Sequence, residues 1–190
     1  MKKNYLILFI IVILISCSKN VKKVTSFKKI TLIDSIIKLN KVVEREVYVR
    51  NLDTILNQIK IFNSNRIDSS KSHFYNLRII ELNEFTKKVY LKYYSPNSLL
   101  NKDSIEIIER SFSYLDLIND SLIIREVKIE PNVDLIFEFN IGEKNKGLSG
   151  MIFELFSEKS KYKDSIEIIK SRLFVDAKNK TSNPFIDSFK

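Results

Sequence analysis

The chain has few side chains of the kinds that usually carry out covalent or metal chemistry. His73 is its only histidine and Cys17 its only cysteine. A serine hydrolase needs a histidine base beside its nucleophile, and no nucleophile-elbow sequence accompanies this histidine. Zinc sites generally combine several histidine or cysteine ligands. We therefore expect no catalytic residue, no metal site and no cofactor, and we interpret His73 as an exposed loop residue before a strand.

Paired carboxylates are the remaining route to catalysis. Two of them suffice for glycoside hydrolysis when the fold holds them about 5 to 10 Å apart. Glu44 with Glu46, or Asp103 with Glu106 and Glu109, could form such pairs. Helix capping and surface charge explain these acids without any chemistry. A carboxylate-dependent hydrolase of cell-wall glycan is therefore kept only as an alternative hypothesis.

Tyrosines and lysines alternate in the segment 87–94 and suggest a contact surface. Protein interfaces are enriched in tyrosine, and lysines could add contacts to glycan or to another protein. The possible binding surface consists of Tyr90, Tyr93, Tyr94, Lys87, Lys88 and Lys92. In a strand, Tyr90 and Tyr94 would share the face opposite Tyr93. The competing hypothesis is that a helix or a neighbouring strand covers that face.

The start of the chain is typical of a targeting segment rather than of a fold element. Lys2 and Lys3 precede an apolar run from Tyr5 to Ile15, which ends at Ser16 and Cys17. This run is shorter than the roughly 20 residues that a membrane-spanning helix needs. Cleavage of the segment is therefore expected.

The sequence Leu14-Ile15-Ser16-Cys17 resembles the lipobox of bacterial lipoproteins. The resemblance implies signal cleavage between Ser16 and Cys17 and acylation of Cys17, and it covers only the first 17 residues. Two or more acyl chains anchor a protein stably, so the membrane is an expected partner. In that family an aspartate after the cysteine commonly retains the protein in the inner membrane. Ser18 stands there in this chain, which implies the outer membrane.

Basic residues follow the cysteine, whereas an acidic run there resembles a surface-export signal in some groups. Lys19, Lys22 and Lys23 therefore favour the periplasmic face. The whole chain carries a formal charge of +9, which falls to +7 once Lys2 and Lys3 are removed. This charge could attract anionic lipid or polymer, although the lysines are scattered. Nucleic acid is excluded as a partner by the expected compartment.

The length predicts one domain. We expect a signal peptide at 1–16, a lipidated cysteine and polar tether at 17–29, the domain at 30–177 and a polar tail at 178–190. From Asn51, apolar residues recur at helical spacing and predict an amphipathic helix that ends at 63–65. These residues are Leu52, Ile55, Leu56, Ile59 and Phe62.

Alternation with a period of two predicts strands elsewhere. FYNLRIIEL and KKVYLKYY should pair as a hairpin, and the block 121–156 should form a three-stranded meander. The string KDSIEII occurs at 102–108 and again at 163–169. Asp103 and Asp164 could cap helices there, with Glu106 and Glu167 completing a capping box. A strand is the alternative for both copies, and in either case we interpret the repeat as scaffold.

These features predict an α+β domain, with antiparallel β-sheet packed by two or three helices on one face. The functional hypothesis is a lipid-anchored cell-envelope lipoprotein that acts as a non-catalytic binding or structural module. Its partner would be a protein or a cell-envelope polymer. The alternatives are a periplasmic immunity or inhibitor protein against a toxin, and the glycan hydrolase described above.

The lipobox resemblance generates a direct prediction. Cells fed an alkyne-labelled palmitate should incorporate the label into the wild-type protein, and Cys17→Ala should abolish this incorporation because no thiol remains to be acylated. Ser18→Ala is the matched control and should retain the label. Equal labelling of the Cys17→Ala variant would contradict the prediction.

Overall fold

The computed structural model describes residues 27–36, 41–96, 105–143, 146–159, 165–178, 180–181 and 183–187. The expected signal peptide, Cys17 and the chain up to residue 26 lie outside these residues, as do the capping candidates Asp103 and Asp164. Within the described ranges, no helix has both the length and the apolar character needed to cross a membrane.

Antiparallel strands form most of the described chain and are arranged in three sheets. Sheet A has the order β12-β1-β2-β3-β4 and consists of β1 (Phe27–Ile36), β2 (Lys41–Arg50), β3 (Asp53–Asn63), β4 (Arg66–Ile67) and β12 (Lys180–Thr181). Sheet B has the order β5-β6-β9 and consists of β5 (Phe74–Glu81), β6 (Thr86–Tyr94) and β9 (Asp134–Asn140). Sheet C has the order β11-β10-β7-β8 and consists of β7 (Ile105–Ile118), β8 (Ser121–Lys128), β10 (Ser149–Lys159) and β11 (Ile166–Asp176).

The expected α+β class is wrong, because the described residues contain a single helix, α1 (Pro184–Asp187), of four residues. Among the described residues, no layer of helices covers any of the three sheets. Phe185 and Ile186 of this helix are buried in the core. The sheets instead pack against one another, so the described part of the chain is an all-β assembly of packed antiparallel sheets.

The helix expected from Asn51 is strand β3, paired along its length with β2. The helical spacing of its apolar residues does not describe a buried stripe, since Leu52 is 100% exposed and Leu56 is 48% exposed. Asn57 and Gln58 are buried instead. The polar triplet at 63–65 is a hairpin turn with Ser64 and Asn65 at positive φ. Such two-residue turns favour asparagine and match strand twist.

Both copies of KDSIEII enter strands, so the helix-capping prediction is wrong and the strand alternative is correct. The first copy leads into β7 and the second into β11, and these two strands flank β10. Glu158 of β10 lies opposite Ile105 on one side and Glu167 on the other. Isoleucine-rich segments suit a pleated surface. The two copies therefore lie on opposite sides of one central strand but are offset by one residue, because the residue that corresponds to Ile105 in the second copy is Ile166, which lies opposite Lys159.

The hairpin prediction is confirmed, because β5 and β6 pair from Phe74↔Tyr94 to Glu81↔Lys87. The meander expected at 121–156 is wrong in its connectivity. Its three strands exist, but β8 and β10 both pair with β7 in sheet C, whereas β9 pairs with β6 in sheet B. Alternation along each strand identified the strands but contained no information about the sheet to which each belongs.

Two apolar clusters hold the sheets together. The first lies between sheets B and C and includes Leu91 and Phe112, and the second lies between sheets A and C and includes Tyr48 and α1. Strand β11 serves both clusters, because Leu173 faces the first and Phe174 the second. Apolar burial is the main stabilising term in such packing. Because one face of sheet C packs against sheet B and the other against sheet A, sheet C is the middle layer.

All three sheets meet at the backbone of Phe174. The side chain of Asn57 on β3 accepts a hydrogen bond from the Phe174 N–H at 2.6 Å and donates one to the Phe174 carbonyl at 2.9 Å. Tyr75 of β5 donates a third bond to the same carbonyl at 3.1 Å. Tyr48 of β2 donates to the Asp176 carboxylate at 2.6 Å. A side-chain amide thus pairs with the edge of sheet C as a neighbouring peptide group would.

Removing this amide should destabilise the fold. Asn57→Ala deletes both bonds to Phe174 in a buried place, and we expect a loss of about 2–4 kcal/mol in the free energy of unfolding. Denaturant titration checks this, with Asn76→Ala as the control because Asn76 is exposed on β5. The control should change the free energy by less than about 0.5 kcal/mol. Equal midpoints for the two variants would show that the junction is not needed for stability.

Candidate functional site

The residues of the possible binding surface divide between the two faces of sheet B. Tyr90, Tyr94, Lys88 and Lys92 lie on the outer face and are half-buried. Tyr93 is fully buried in the first cluster, as are Val89 and Leu91 on the same face. Lys87 also points inwards and lines a cleft at the end of the sandwich. The six residues therefore belong to two different environments.

Cations and aromatic rings alternate on the outer face of sheet B. The Arg78 guanidinium lies 4.3 Å from the centre of the Tyr90 ring, and the Lys88 ammonium lies 5.8 Å from it. Tyr94 stacks on Phe74 with ring centres 4.4 Å apart, and Lys92 lies 6.0 Å from the Tyr94 ring. We name Arg78, Tyr90, Lys88, Tyr94 and Lys92 the outer-face cluster. Cation–π contacts orient these long side chains on a half-exposed surface.

A buried ion pair closes one end of the space between sheets B and C. Glu154 of β10 and Arg110 of β7 are directly opposite in the sheet. The Arg110 Nε and Nη2 atoms donate to Glu154 Oε1 at 2.8 and 2.5 Å. The other carboxylate oxygen accepts bonds from the hydroxyls of Tyr93 at 3.1 Å and Ser95 at 3.0 Å. This satisfies the buried charges, as an apolar environment requires.

His73 lies at the edge of this network, so its expected exposure is wrong. It is half-buried, and its backbone forms a bridge with Ile59 that links sheet A to sheet B. Its Nε2 atom lies 3.1 Å from the Tyr93 hydroxyl and 3.4 Å from the Ser171 hydroxyl. In a catalytic triad the nucleophile and the carboxylate bind opposite ring nitrogens. Here both hydroxyls approach the same nitrogen, and no carboxylate of the described residues bonds to the other nitrogen as a triad requires.

The acids considered for glycoside hydrolysis have structural contacts in sheet A. Glu44 pairs with the Lys60 ammonium at 3.1 Å. Glu46 accepts bonds from the side-chain amides of Asn57 at 2.8 Å and Gln58 at 2.9 Å. Glu106 and Glu109 are exposed on β7. Across the described part of the chain, no three acidic, histidine or cysteine side chains lie close enough together to hold a metal ion.

The opposite end of the sandwich is open and contains a cleft of about 440 Å³. Its floor is apolar and consists of Leu77, Ile79, Phe139, Ile141 and Leu148. Its rim carries three lysines and one acid, namely Lys87, Lys146, Lys178 and Glu81. Lys87 forms an ion pair with Glu81 across the β5–β6 hairpin. The space between the two sheets therefore has a polar, closed end and a cationic, open end.

Sequence reasoning missed the ion pair and the cleft. Arg110 has the same strand parity as buried Phe112, and Glu154 the same parity as buried Ile152. A charge in an inward position of an apolar strand is the signal that could have found them, but β7 was expected to be helical. The cleft had no such signal, because its lining comes from four separate parts of the chain. Comparisons of the chain with protein-family models, with curated proteins and with solved structures return no match.

The half-buried histidine makes stability depend on pH. Burial lowers the pKa of His73 below its ordinary value of 6.5, and the nearby Glu154 carboxylate opposes this only in part. The unfolded chain then binds more protons below about pH 6.5. The contribution of neutral His73 to the free energy of unfolding is therefore fully present above that pH, and it is lost as the pH drops towards the folded-state pKa. The slope cannot exceed about 1.4 kcal/mol per pH unit, the value for one proton.

Urea titrations at pH 7.5 and pH 5.5 check this dependence. The wild-type midpoint should be lower at pH 5.5. His73→Gln should reduce the difference between the two midpoints, because His73 is the only histidine of the chain. A His73→Gln variant that keeps the whole wild-type difference would show that another group is responsible.

Proposed function

We propose that this protein is a lipid-anchored, non-catalytic binding protein of the bacterial cell envelope, and that it holds a protein partner against the outer face of sheet B. The lipobox resemblance of residues 14–17 supports the anchor. The outer membrane, on its periplasmic side, is the proposed location. The observation that carries the binding role is the outer-face cluster, where ordered cations and half-exposed tyrosine rings lie side by side.

The chemistry of this face favours a protein over a polymer. Tyrosine and arginine are among the residues that most often dominate the energy of protein interfaces. Arg78 and Tyr90 lie directly opposite each other on the adjacent strands β5 and β6. Ile136 of β9 lies beside Tyr90 on its other side and is 52% exposed. A row of arginine, tyrosine and isoleucine offers apolar area with a charged margin. Lys92 approaches Asp134 at 4.0 Å, so acids also border the face.

A site-specific photo-crosslinker tests the face in intact cells. The photoreactive residue replaces Tyr90, or Ile124 as the matched control, which is 66% exposed on β8 of sheet C. Position 90 should give one dominant protein adduct and position 124 should not. Arg78→Glu, introduced together with the crosslinker at position 90, should remove the adduct because it reverses the charge beside the ring.

The alternatives predict other products. Identical adducts from both positions, or none from position 90, would contradict a partner at this face. Adducts that remain with the cell-wall fraction and contain no second protein would indicate a polymer instead. If the adduct is a secreted toxin of sister cells, the binding role would be that of an immunity protein.

A further inference from the structure

The cleft at the open end of the sandwich has the composition of a site for an amphiphile. Its floor continues the first apolar cluster, because Phe139 and Leu148 are buried members of that cluster and Ile79 packs against it. Its volume of about 440 Å³ is at the lower end of the roughly 300–1,000 Å³ found for small-molecule sites. An apolar chain inserted there would leave water for a surface that is already apolar. The size suits one acyl chain better than two.

The rim determines the charge of the ligand. Lys87 is held by Glu81, but no acidic side chain among the described residues pairs with Lys146 or Lys178. Both of these lysines are exposed at the mouth of the cleft. Each ammonium group has three hydrogen-bond donors and no acceptor. Two such groups at the end of an apolar floor complement an anionic head group on an apolar chain.

The cleft also lies close to β1, the first described strand. Phe27, the first residue of β1, is opposite Thr181 of β12. Lys29 donates a bond to the carbonyl of Asp176 at 3.4 Å, and the next two residues, Ala177 and Lys178, line the cleft. Phe27 is ten residues after Cys17, which allows a tether of at most about 35 Å. A lipidated Cys17, as in the proposed function, would therefore keep the cleft near the membrane surface.

From this geometry we infer that the cleft binds a long-chain fatty acid, with the acyl chain on the apolar floor and the carboxylate between Lys146 and Lys178. This binding is separate from the partner contact on the outer face of sheet B, because that face and the cleft lie on opposite sides of the sheet. No covalent step is involved. The fatty acid enters and leaves through the open end of the sandwich.

Photolabelling of the lipidated protein tests the inference. The protein is placed in nanodiscs of phosphatidylcholine and exposed to a photoactivatable hexadecanoic acid or to the matched hexadecylamine. Peptide mass spectrometry should locate the acid on peptides from 77–87 and 146–148, with much less labelling by the amine. The double variant Lys146→Glu/Lys178→Glu should reduce labelling by about tenfold or more, because each charge near the ligand is reversed.

Two controls separate this result from nonspecific effects. Lys128→Glu/Lys170→Glu changes the net charge equally at exposed positions of β8 and β11 and should label like wild type. Ala177→Trp should also abolish labelling, because it adds bulk where the cleft opens, while the unfolding midpoint stays near that of wild type. Equal labelling by acid and amine, equal loss in both charge variants, or labels outside the cleft would each overturn the inference. None of these outcomes would affect the crosslink expected at position 90.

Discussion

The side-chain amide of Asn57 occupies the place that a neighbouring strand would otherwise fill at the edge of sheet C. Edge strands carry unpaired backbone groups and are templates for association with other chains. Here the N–H and carbonyl of Phe174 bond to Asn57, and Tyr75 adds a bond to the carbonyl. A side chain from each of the other two sheets thus closes the edge of the third. This constraint fixes where sheets A and B stand relative to sheet C.

The two ends of the space between sheets B and C follow from that arrangement. At one end, inward charges of β7 and β10 come opposite each other, and Tyr93 and Ser95 complete the hydrogen bonds of Glu154. Breaking such a buried pair costs more than forming it gains, so this end is held closed. At the other end the inward residues are apolar and the lysines lie at the rim. The same sandwich therefore contains a rigid end and an accessible end.

Much of the local structure of sheet B could be predicted from the sequence, because strict alternation and a short polar connection are local signals. The same alternation correctly placed Tyr90 and Tyr93 on opposite faces. Strand β3 could not be predicted, since its apolar residues happen to follow a helical period while its buried positions are Asn57 and Gln58. Tertiary hydrogen bonds override local propensity there. The pairing of Arg110 with Glu154 depends on strand order, which no local pattern specifies.

The hydrogen exchange rate of the Phe174 amide is the most direct test of the junction on which this account depends. Amides at alternate positions of a strand point to the same side, so Lys170 of β11 provides a comparison on the same edge. Asn57 accepts the bond from Phe174, whereas Lys170 is in an exposed part of the strand. The account predicts that the Phe174 amide exchanges only through global unfolding, and much more slowly than the Lys170 amide. Equally fast exchange at both positions would show that the edge of sheet C is open and would contradict the account.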